Sequence, residues 1–150
     1  MKDKGIKILK GTGTVLLIWS AAEIVAEILN VLSLDLSAVG AGTILGDLFV
    51  FRAGNAAVPI LLSIIGMAAG IAALALAGND RYSKYLRLFG IALIVIYVIE
   101  GVMLVSASPS MLAWIRLVIV LIFAALYLYG AYLLKKEDAA AEKETIGHSF

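Results

Sequence analysis

Cysteine is absent from the 150-residue chain, which excludes disulfides, thiol catalysis and metal or iron–sulfur sites built on cysteine. Histidine occurs once, as His148 in a polar tail, where a solvated side chain is expected rather than a ligand or a catalytic base. Because the apolar segments contain no histidine, haem ligation by histidine and di-iron sites of the Glu/His kind are not expected either. We predict that the protein has no metal site and no cofactor.

Charged residues are also scarce. They make up 15% of the chain, against about 25% in soluble domains, whereas apolar residues make up 63% and the mean hydropathy is +1.04. A soluble domain of this length has no core large enough to hide so much apolar surface. The lipid bilayer must therefore act as the solvent, and the net charge of +1 gives no reason to expect nucleic-acid binding.

Four apolar runs are long enough to cross a membrane, because a spanning helix needs about 20 apolar residues. They predict an all-α, integral membrane four-helix bundle that forms one domain. The predicted spans cover residues 8–32, 56–77, 86–106 and 110–134, and a polar cytoplasmic tail follows over residues 137–150.

The positions of lysine and arginine predict the direction of these spans, because basic residues concentrate in cytoplasmic segments. They gather in the N-terminal segment, in the loop between the second and third spans and in the C-terminal tail, whereas the two other loops contain only Arg52. Both termini are therefore predicted to face the cytoplasm. Short loops without glycosylation acceptors or sorting signals favour the plasma membrane of a prokaryote.

The N-terminal segment also resembles a secretory signal peptide, with a basic head, an apolar stretch and the small residues Ser20-Ala21-Ala22. However, the apolar character resumes beyond these residues and continues to Leu32. We therefore predict an uncleaved membrane helix.

The first outer loop, residues 33–55, contains an amphipathic pattern. Leu45, Leu48, Phe49 and Arg52 are spaced as one face of a helix, which favours a short helix lying at the outer membrane interface. A re-entrant hairpin is the alternative, and it would have to be lined by protein or water.

Three carboxylates lie inside the predicted spans, where a charge is costly. Glu23 and Glu27 share one helix face with Ser20 and Asn30, and this face cannot point at lipid tails. In the third span, Glu100 follows Tyr97 by three residues. Glu23 lies about 20 Å along its helix from Lys10, and Glu100 about 20 Å from Arg87, so the two carboxylates are predicted to share one level where the first and third helices meet.

Two interpretations of these polar residues compete. In the first, Glu23, Glu27 and Glu100, with Asn30 and Tyr97, form a site for protons, cations or a small substrate, because crowded carboxylates in a low dielectric hold protons more tightly. In the second, they only join helices.

As helix joints, the acids would be neutral or paired. Arg116, expected near the outer surface, would then be a charge partner of Glu27 or Glu100. Contacts of this kind contribute only about 0.6 kcal/mol, whereas each buried charge costs about 2.5–3.5 kcal/mol, which favours a functional site.

Small residues form a stripe on the second span. Ser63, Gly66 and Gly70 belong to this stripe, and Gly66-x-x-x-Gly70 is a motif for close helix approach. We predict a packing face, either within the chain's own bundle or at a homodimer seam. Trp19 lies too deep for an interfacial aromatic belt and is also assigned to packing.

The function classes that remain are transport and assembly. A small transporter or channel-like protein would use the carboxylates, whereas an accessory subunit of a larger membrane complex would turn them toward another chain. No motif of an enzyme is present, and a lipid-modifying enzyme would have to rely on Asp35, Asp47 and Arg52 alone. We therefore predict a membrane protein that is not an enzyme and whose partners are the lipid bilayer and either another copy or another membrane subunit.

The predicted sidedness can be tested directly because the natural chain is free of cysteine. We expect a membrane-impermeant maleimide to label Ser108→Cys in intact cells, and to label Lys143→Cys only after the cells are permeabilised. The unsubstituted chain is the control for background labelling. The opposite pattern would show that the termini face outward.

Overall fold

The computed structural model describes residues 2–31, 57–107 and 110–147, and every regular element in these ranges is helical. The four long helices are α1 (Lys2–Val31), α2 (Ala57–Leu76), α3 (Ser83–Ala107) and α4 (Met111–Gly147), and a single 3-10 turn covers Asp80–Tyr82. All four are long and apolar enough to span a membrane. The predicted all-α architecture with four apolar helices is therefore confirmed.

Some predictions fall outside the described residues. They concern the interfacial helix at residues 45–52, the side chains of Asp35 and Asp47, the side chain of Asn30, and His148. The side of the membrane that each terminus faces stays a prediction.

The boundaries of the helices follow from local chemistry. Pro59 lies in the first turn of α2, where a missing backbone N–H leaves no intrahelical bond unmade. Asn79 turns the chain after α2, since its Oδ1 accepts a hydrogen bond from the backbone N–H of Arg81 at 3.1 Å. Ser110 caps α4, because its Oγ accepts from the backbone N–H of Ala113 at 3.1 Å.

Helix α4 is longer than a membrane is thick. Its 37 residues extend over about 55 Å, against about 30 Å for the hydrocarbon core. The apolar part ends at Leu134, and the same helix continues through the charged segment to Gly147. The polar tail thus continues the fourth span without a break in the helix.

The helices form an antiparallel bundle in which α1 and α3 occupy opposite corners. Helix α1 packs along α2 and α4, and α3 packs along α4 and, less extensively, along α2. Gly13 meets Gly70 and Ser20 meets Gly66, so α1 and α2 run in opposite directions. Gly5 meets Gly130 and Glu23 meets Arg116, which shows the same for α1 and α4. This arrangement prevents α1 and α3 from forming an extended interface.

The bundle has two halves of different character. We call the end near the termini the terminal half (residues 2–16, 67–76, 83–96 and 121–134) and the other end, near the α3–α4 turn, the turn half. The terminal half holds most of the apolar core, which consists of small and aliphatic side chains around the buried Tyr127. The buried carboxylates and Arg116 all lie in the turn half.

Glycines allow the helices to approach closely in the terminal half. A Cβ on Gly70 would lie 2.7 Å from the carbonyl oxygen of Gly13, and a Cβ on Gly90 would lie 3.1 Å from the Cα of Leu128. Backbone-to-backbone contacts of this kind permit dense packing without large side chains. The helices of the terminal half are therefore closely packed against one another.

The outer surface of the bundle is apolar, as expected for a chain dissolved in lipid. Large hydrophobic side chains are exposed on all four helices, among them Ile18, Leu61, Leu88 and Val118. The charged side chains of the turn half are buried instead. This inside-out distribution of polarity is the reverse of that in a soluble domain.

Gly13 and Gly11 make a matched pair for testing the α1–α2 contact. A Cβ on Gly13 would lie 2.7 Å from Ala73 Cβ and 3.0 Å from the Gly70 carbonyl oxygen, whereas a Cβ on Gly11 would meet nothing within 4 Å. We expect Gly13→Ala to lower the free energy of unfolding by about 1–3 kcal/mol because of overpacking. Gly11→Ala should leave stability unchanged or raise it by up to about 1 kcal/mol.

Thermal unfolding in detergent, followed by circular dichroism, measures both variants. Equal midpoints for the two variants would show that the close α1–α2 contact does not limit stability.

Candidate functional site

Arg116 lies at the centre of the polar cluster in the turn half. Its Nη2 donates to Glu23 Oε1 at 2.8 Å and to Glu100 Oε1 at 2.5 Å. The three side chains are nearly inaccessible, with exposed fractions of 4% for Arg116, 3% for Glu23 and 8% for Glu100. One guanidinium nitrogen on α4 thus joins carboxylates from α1 and α3.

Glu23 is held by three donors. Trp19 Nε1 donates to its Oε1 at 2.7 Å, one turn earlier on α1, and Ser63 Oγ on α2 donates to its Oε2 at 2.8 Å. Together with Arg116, these bonds occupy both carboxylate oxygens. The cluster therefore includes side chains from all four helices, and Glu23 is fixed in place.

Glu100 is held much less tightly. Among the described residues, Arg116 is the one group that hydrogen-bonds its carboxylate. Glu100 also lines a small, partly open cavity with room for about one water molecule. The lining residues come from α3 and α4: Tyr97, Glu100, Gly101, Leu104, Arg116, Leu117 and Val120. Glu23 does not line it, so the two carboxylates that share Arg116 differ in both bonding and access.

Arg116 Nη1 is a buried donor with no hydrogen-bond partner within the part of the chain that the structure describes. The buried hydroxyls of Ser20 and Tyr97 lie close enough to interact with each other. The two hydroxyls come together at Gly66, where a Cβ would lie 2.6 Å from the Ser20 oxygen and 3.1 Å from the Tyr97 oxygen. Because an unmade buried hydrogen bond costs about 1–3 kcal/mol, Arg116 Nη1 is the group in this region that a further acceptor, such as one water molecule, would satisfy.

The charges in the cluster do not cancel. Glu23 and Glu100 together carry two negative charges when ionised, and Arg116 supplies one positive charge. Glu27, fully buried one turn further along α1, adds a third acidic group on the same side. Among the described residues, no three ligand-type side chains converge closely enough to hold a metal ion. A proton is the smallest species that would restore the charge balance of the pair around Arg116.

The structure brings most of the predicted site residues together. Glu23, Glu100 and Arg116 are in direct contact, Tyr97 is buried beside Glu100 on α3, and Glu27 is buried on α1. The backbone of Asn30 belongs to α1, but its side chain lies outside the described residues.

Two details differ from the prediction. The carboxylates do not meet at an α1–α3 interface, because these helices lie at opposite corners and Arg116 of α4 bridges the distance. Arg116 was expected near the outer surface as a partner of Glu27 or Glu100. Instead it is buried, and it pairs with Glu23 as well as Glu100.

Sequence reasoning assigned Trp19 and Ser63 to packing and missed that both donate to Glu23. The spacing of four residues between Trp19 and Glu23 was an available signal, because such residues are neighbours on a helix. The hydrogen bond from Ser63 joins two different helices, and no local pattern in the sequence predicts it. Gly66 and Gly70 pack against α1, so their stripe lies inside the bundle.

Comparison with known proteins adds no family to this description. No protein-family model, no curated protein and no solved structure matches the chain. The function is therefore argued from the buried cluster and the cavity beside it.

Removing Arg116 tests whether it balances the buried carboxylates. We expect Arg116→Met to destabilise the protein by about 3–5 kcal/mol, because it leaves buried acidic groups without their cation. Adding Glu23→Gln and Glu100→Gln to the same chain should recover part of this loss, since the uncompensated charges are then gone.

Unfolding in detergent at neutral pH measures these variants, and Arg81→Met is the control because Arg81 is exposed. If Arg116→Met proved as stable as Arg81→Met, the ion cluster would not contribute to the stability of the fold.

Proposed function

We propose that the chain is a small membrane transporter in which Glu100 takes up and releases a proton that crosses the membrane alone or coupled to a cation. The observation that carries this proposal is the difference between two carboxylates that share Arg116. One is bonded by three donors and enclosed, whereas the other is bonded by one donor and lines a cavity.

Glu23 acts in this proposal as the fixed anchor of Arg116. Its two oxygens accept three hydrogen bonds, from Trp19, Ser63 and Arg116, and these bonds fix the position of the carboxylate. Glu23 keeps the guanidinium of Arg116 in place both when Glu100 is ionised and when it is protonated. Arg116 therefore stays paired throughout the cycle.

Glu100 is the exchangeable group. When Glu100 is ionised, its attraction to Arg116 draws α3 toward α4; at an effective dielectric constant near 20, opposite charges 4 Å apart attract by about 4 kcal/mol. A proton on Glu100 removes this attraction, and the anchor keeps Arg116 with Glu23. Loading of the proton is thereby coupled to separation of α3 from α4, and the cavity lies between these two helices.

Burial of the acids favours transport over the alternative of an accessory subunit. A subunit that binds a charged neighbour would turn its carboxylates outward, whereas Glu23, Glu27 and Glu100 are all buried within the bundle. The proposal includes no enzymatic reaction. It places both termini in the cytoplasm because of the charge distribution in the loops. It places the protein in the plasma membrane of a prokaryote because the loops are short and lack glycosylation acceptors and sorting signals.

Proton movement in reconstituted vesicles tests the proposal. The purified protein is placed in liposomes that contain a trapped pH-sensitive dye, and either a potassium diffusion potential or a sodium gradient is imposed. We expect the wild-type protein to move protons faster than protein-free liposomes in at least one condition. Glu100→Gln should reduce the rate to that of protein-free liposomes, because glutamine cannot release a proton.

Asp3→Asn is the matched control, since it removes an exposed carboxylate outside the cluster. It should retain the wild-type rate. Equal rates for Glu100→Gln and wild type, with both variants folded, would refute the role of Glu100. A wild-type rate no faster than protein-free liposomes in either condition would favour the accessory subunit.

A further inference from the structure

The guanidinium of Arg116 is used on one side only. Nη2 donates to both carboxylates, whereas Nη1 is buried and has no acceptor among the described residues. The side chain is 4% exposed, so the unmatched nitrogen is not in contact with bulk solvent. Because a buried donor without an acceptor is costly, a polar atom beside Nη1 would stabilise the bundle.

The cavity beside Arg116 matches a single water molecule in both size and polarity. It has room for about one water, and its lining includes the polar side chains of Arg116, Glu100 and Tyr97. Arg116 supplies a donor, the carboxylate of Glu100 supplies an acceptor, and the phenol of Tyr97 can act as either. A buried water makes about three hydrogen bonds to polar groups that are otherwise incompletely bonded, and this cavity provides such groups.

The cavity lies close to the α3–α4 turn. Glu100 is about 10 Å from the end of α3, and Arg116 is about 8 Å from the start of α4. In the other direction, Glu100 is about 26 Å from the start of α3, and the terminal half lies between. There a Cβ on Gly90 would lie 3.1 Å from the Cα of Leu128, so α3 and α4 are in close contact. The short route for water therefore runs from the turn end.

We infer that one water molecule binds between Arg116 Nη1, the carboxylate of Glu100 and the phenol of Tyr97, and that this water passes the proton to Glu100 from the turn end of the bundle. This inference rests on the proposed function, because it takes Glu100 as the group that is protonated. Tyr97 acts in it as a positioning residue, since its phenol holds the water beside the carboxylate.

The transfer leaves the water unchanged. The water gives one of its protons to a carboxylate oxygen of Glu100 and takes one from a hydronium ion that arrives from the turn end. One O–H bond forms and one breaks at the water, and the negative charge of Glu100 is neutralised. Arg116 repels a hydronium ion, so the molecule in the cavity is neutral between transfers.

Leu104 and Leu93 make a matched pair for testing whether water reaches the cavity. Both are buried on α3, but Leu104 lines the cavity, whereas Leu93 belongs to the apolar core of the terminal half. The natural chain has no cysteine, so Leu104→Cys and Leu93→Cys each carry a single thiol. Silver ion, which is similar in size to a water molecule, is added to each protein in detergent. The thiols that remain are then counted with a maleimide after denaturation.

We expect silver to react at least about tenfold faster with Leu104→Cys than with Leu93→Cys, because the reactive thiolate needs water around it. This readout does not depend on proton movement. A reaction at Leu104→Cys no faster than at Leu93→Cys would overturn the inference.

Val120 and Val118 make a second pair, which tests the role of the water in proton uptake. Val120 lines the cavity, whereas Val118 is exposed on the outer surface of the same helix. Val120→Ile adds one methyl group, which takes up about the room of the water, and Val118→Ile adds the same group on the lipid side. In the trapped-dye assay, we expect Val120→Ile to reduce the rate to that of Glu100→Gln and Val118→Ile to keep the wild-type rate.

A wild-type rate in folded Val120→Ile would also overturn the inference, and if this variant does not fold, the silver reaction decides. Ion-driven proton movement in the wild type together with either contrary result would refute the water and leave the transport proposal standing. A fast silver reaction at Leu104→Cys without ion-driven proton movement would refute the proposed function, and with it the transfer step, and leave the water-binding site standing.

Discussion

The pairing of one guanidinium nitrogen with two carboxylates organises the bundle. Nη2 of Arg116 on α4 binds Glu23 on α1 and Glu100 on α3, and Ser63 on α2 completes the contact through Glu23. Each of these charges would cost at least about 2.5–3.5 kcal/mol if it faced lipid alone. The rotation of three helices about their axes is therefore constrained by a single point where the charges must meet.

The terminal half of the bundle provides the rigidity that this point requires. Its helices approach through glycines, and Tyr127 OH donates to the carbonyl oxygen of Ala69 at 3.0 Å across the core. Dense packing leaves little room for rearrangement at this end. The turn half contains the cavity and the incompletely bonded Arg116, although Gly66 and Gly101 also make close contacts there. A change in the charge of Glu100 thus acts at the end of the bundle that contains the cavity.

The positions of the spans could be predicted because they depend on hydropathy alone. The second predicted span, residues 56–77, corresponds to helix Ala57–Leu76, and the third, residues 86–106, lies within Ser83–Ala107. Counting helical rise also placed Glu23 and Glu100 at one level, and both bind the same nitrogen of Arg116.

The partners within the site could not be predicted from the sequence. Helical periodicity identifies which face of a helix is polar, but it does not say which helix lies opposite. That depends on the order of helices around the bundle, which puts α4 rather than α3 next to α1. The roles of Arg116 and Ser63 follow from this order, whereas Trp19 lies one turn from Glu23 on the same helix and was within reach of a local argument.

Glu100 is more than is needed to join helices. Glu23 already gives Arg116 a fully ionic partner, and a glutamine at position 100 would accept a hydrogen bond from the same N–H without adding a second negative charge. A glutamate there makes the cluster depend on whether one group is protonated, and it does so at the wall of the cavity. Glu23, which accepts from three donors, is fixed in position instead. The proposed proton exchange at Glu100 accounts for a second carboxylate beside this fixed one, whereas adhesion between helices does not require it.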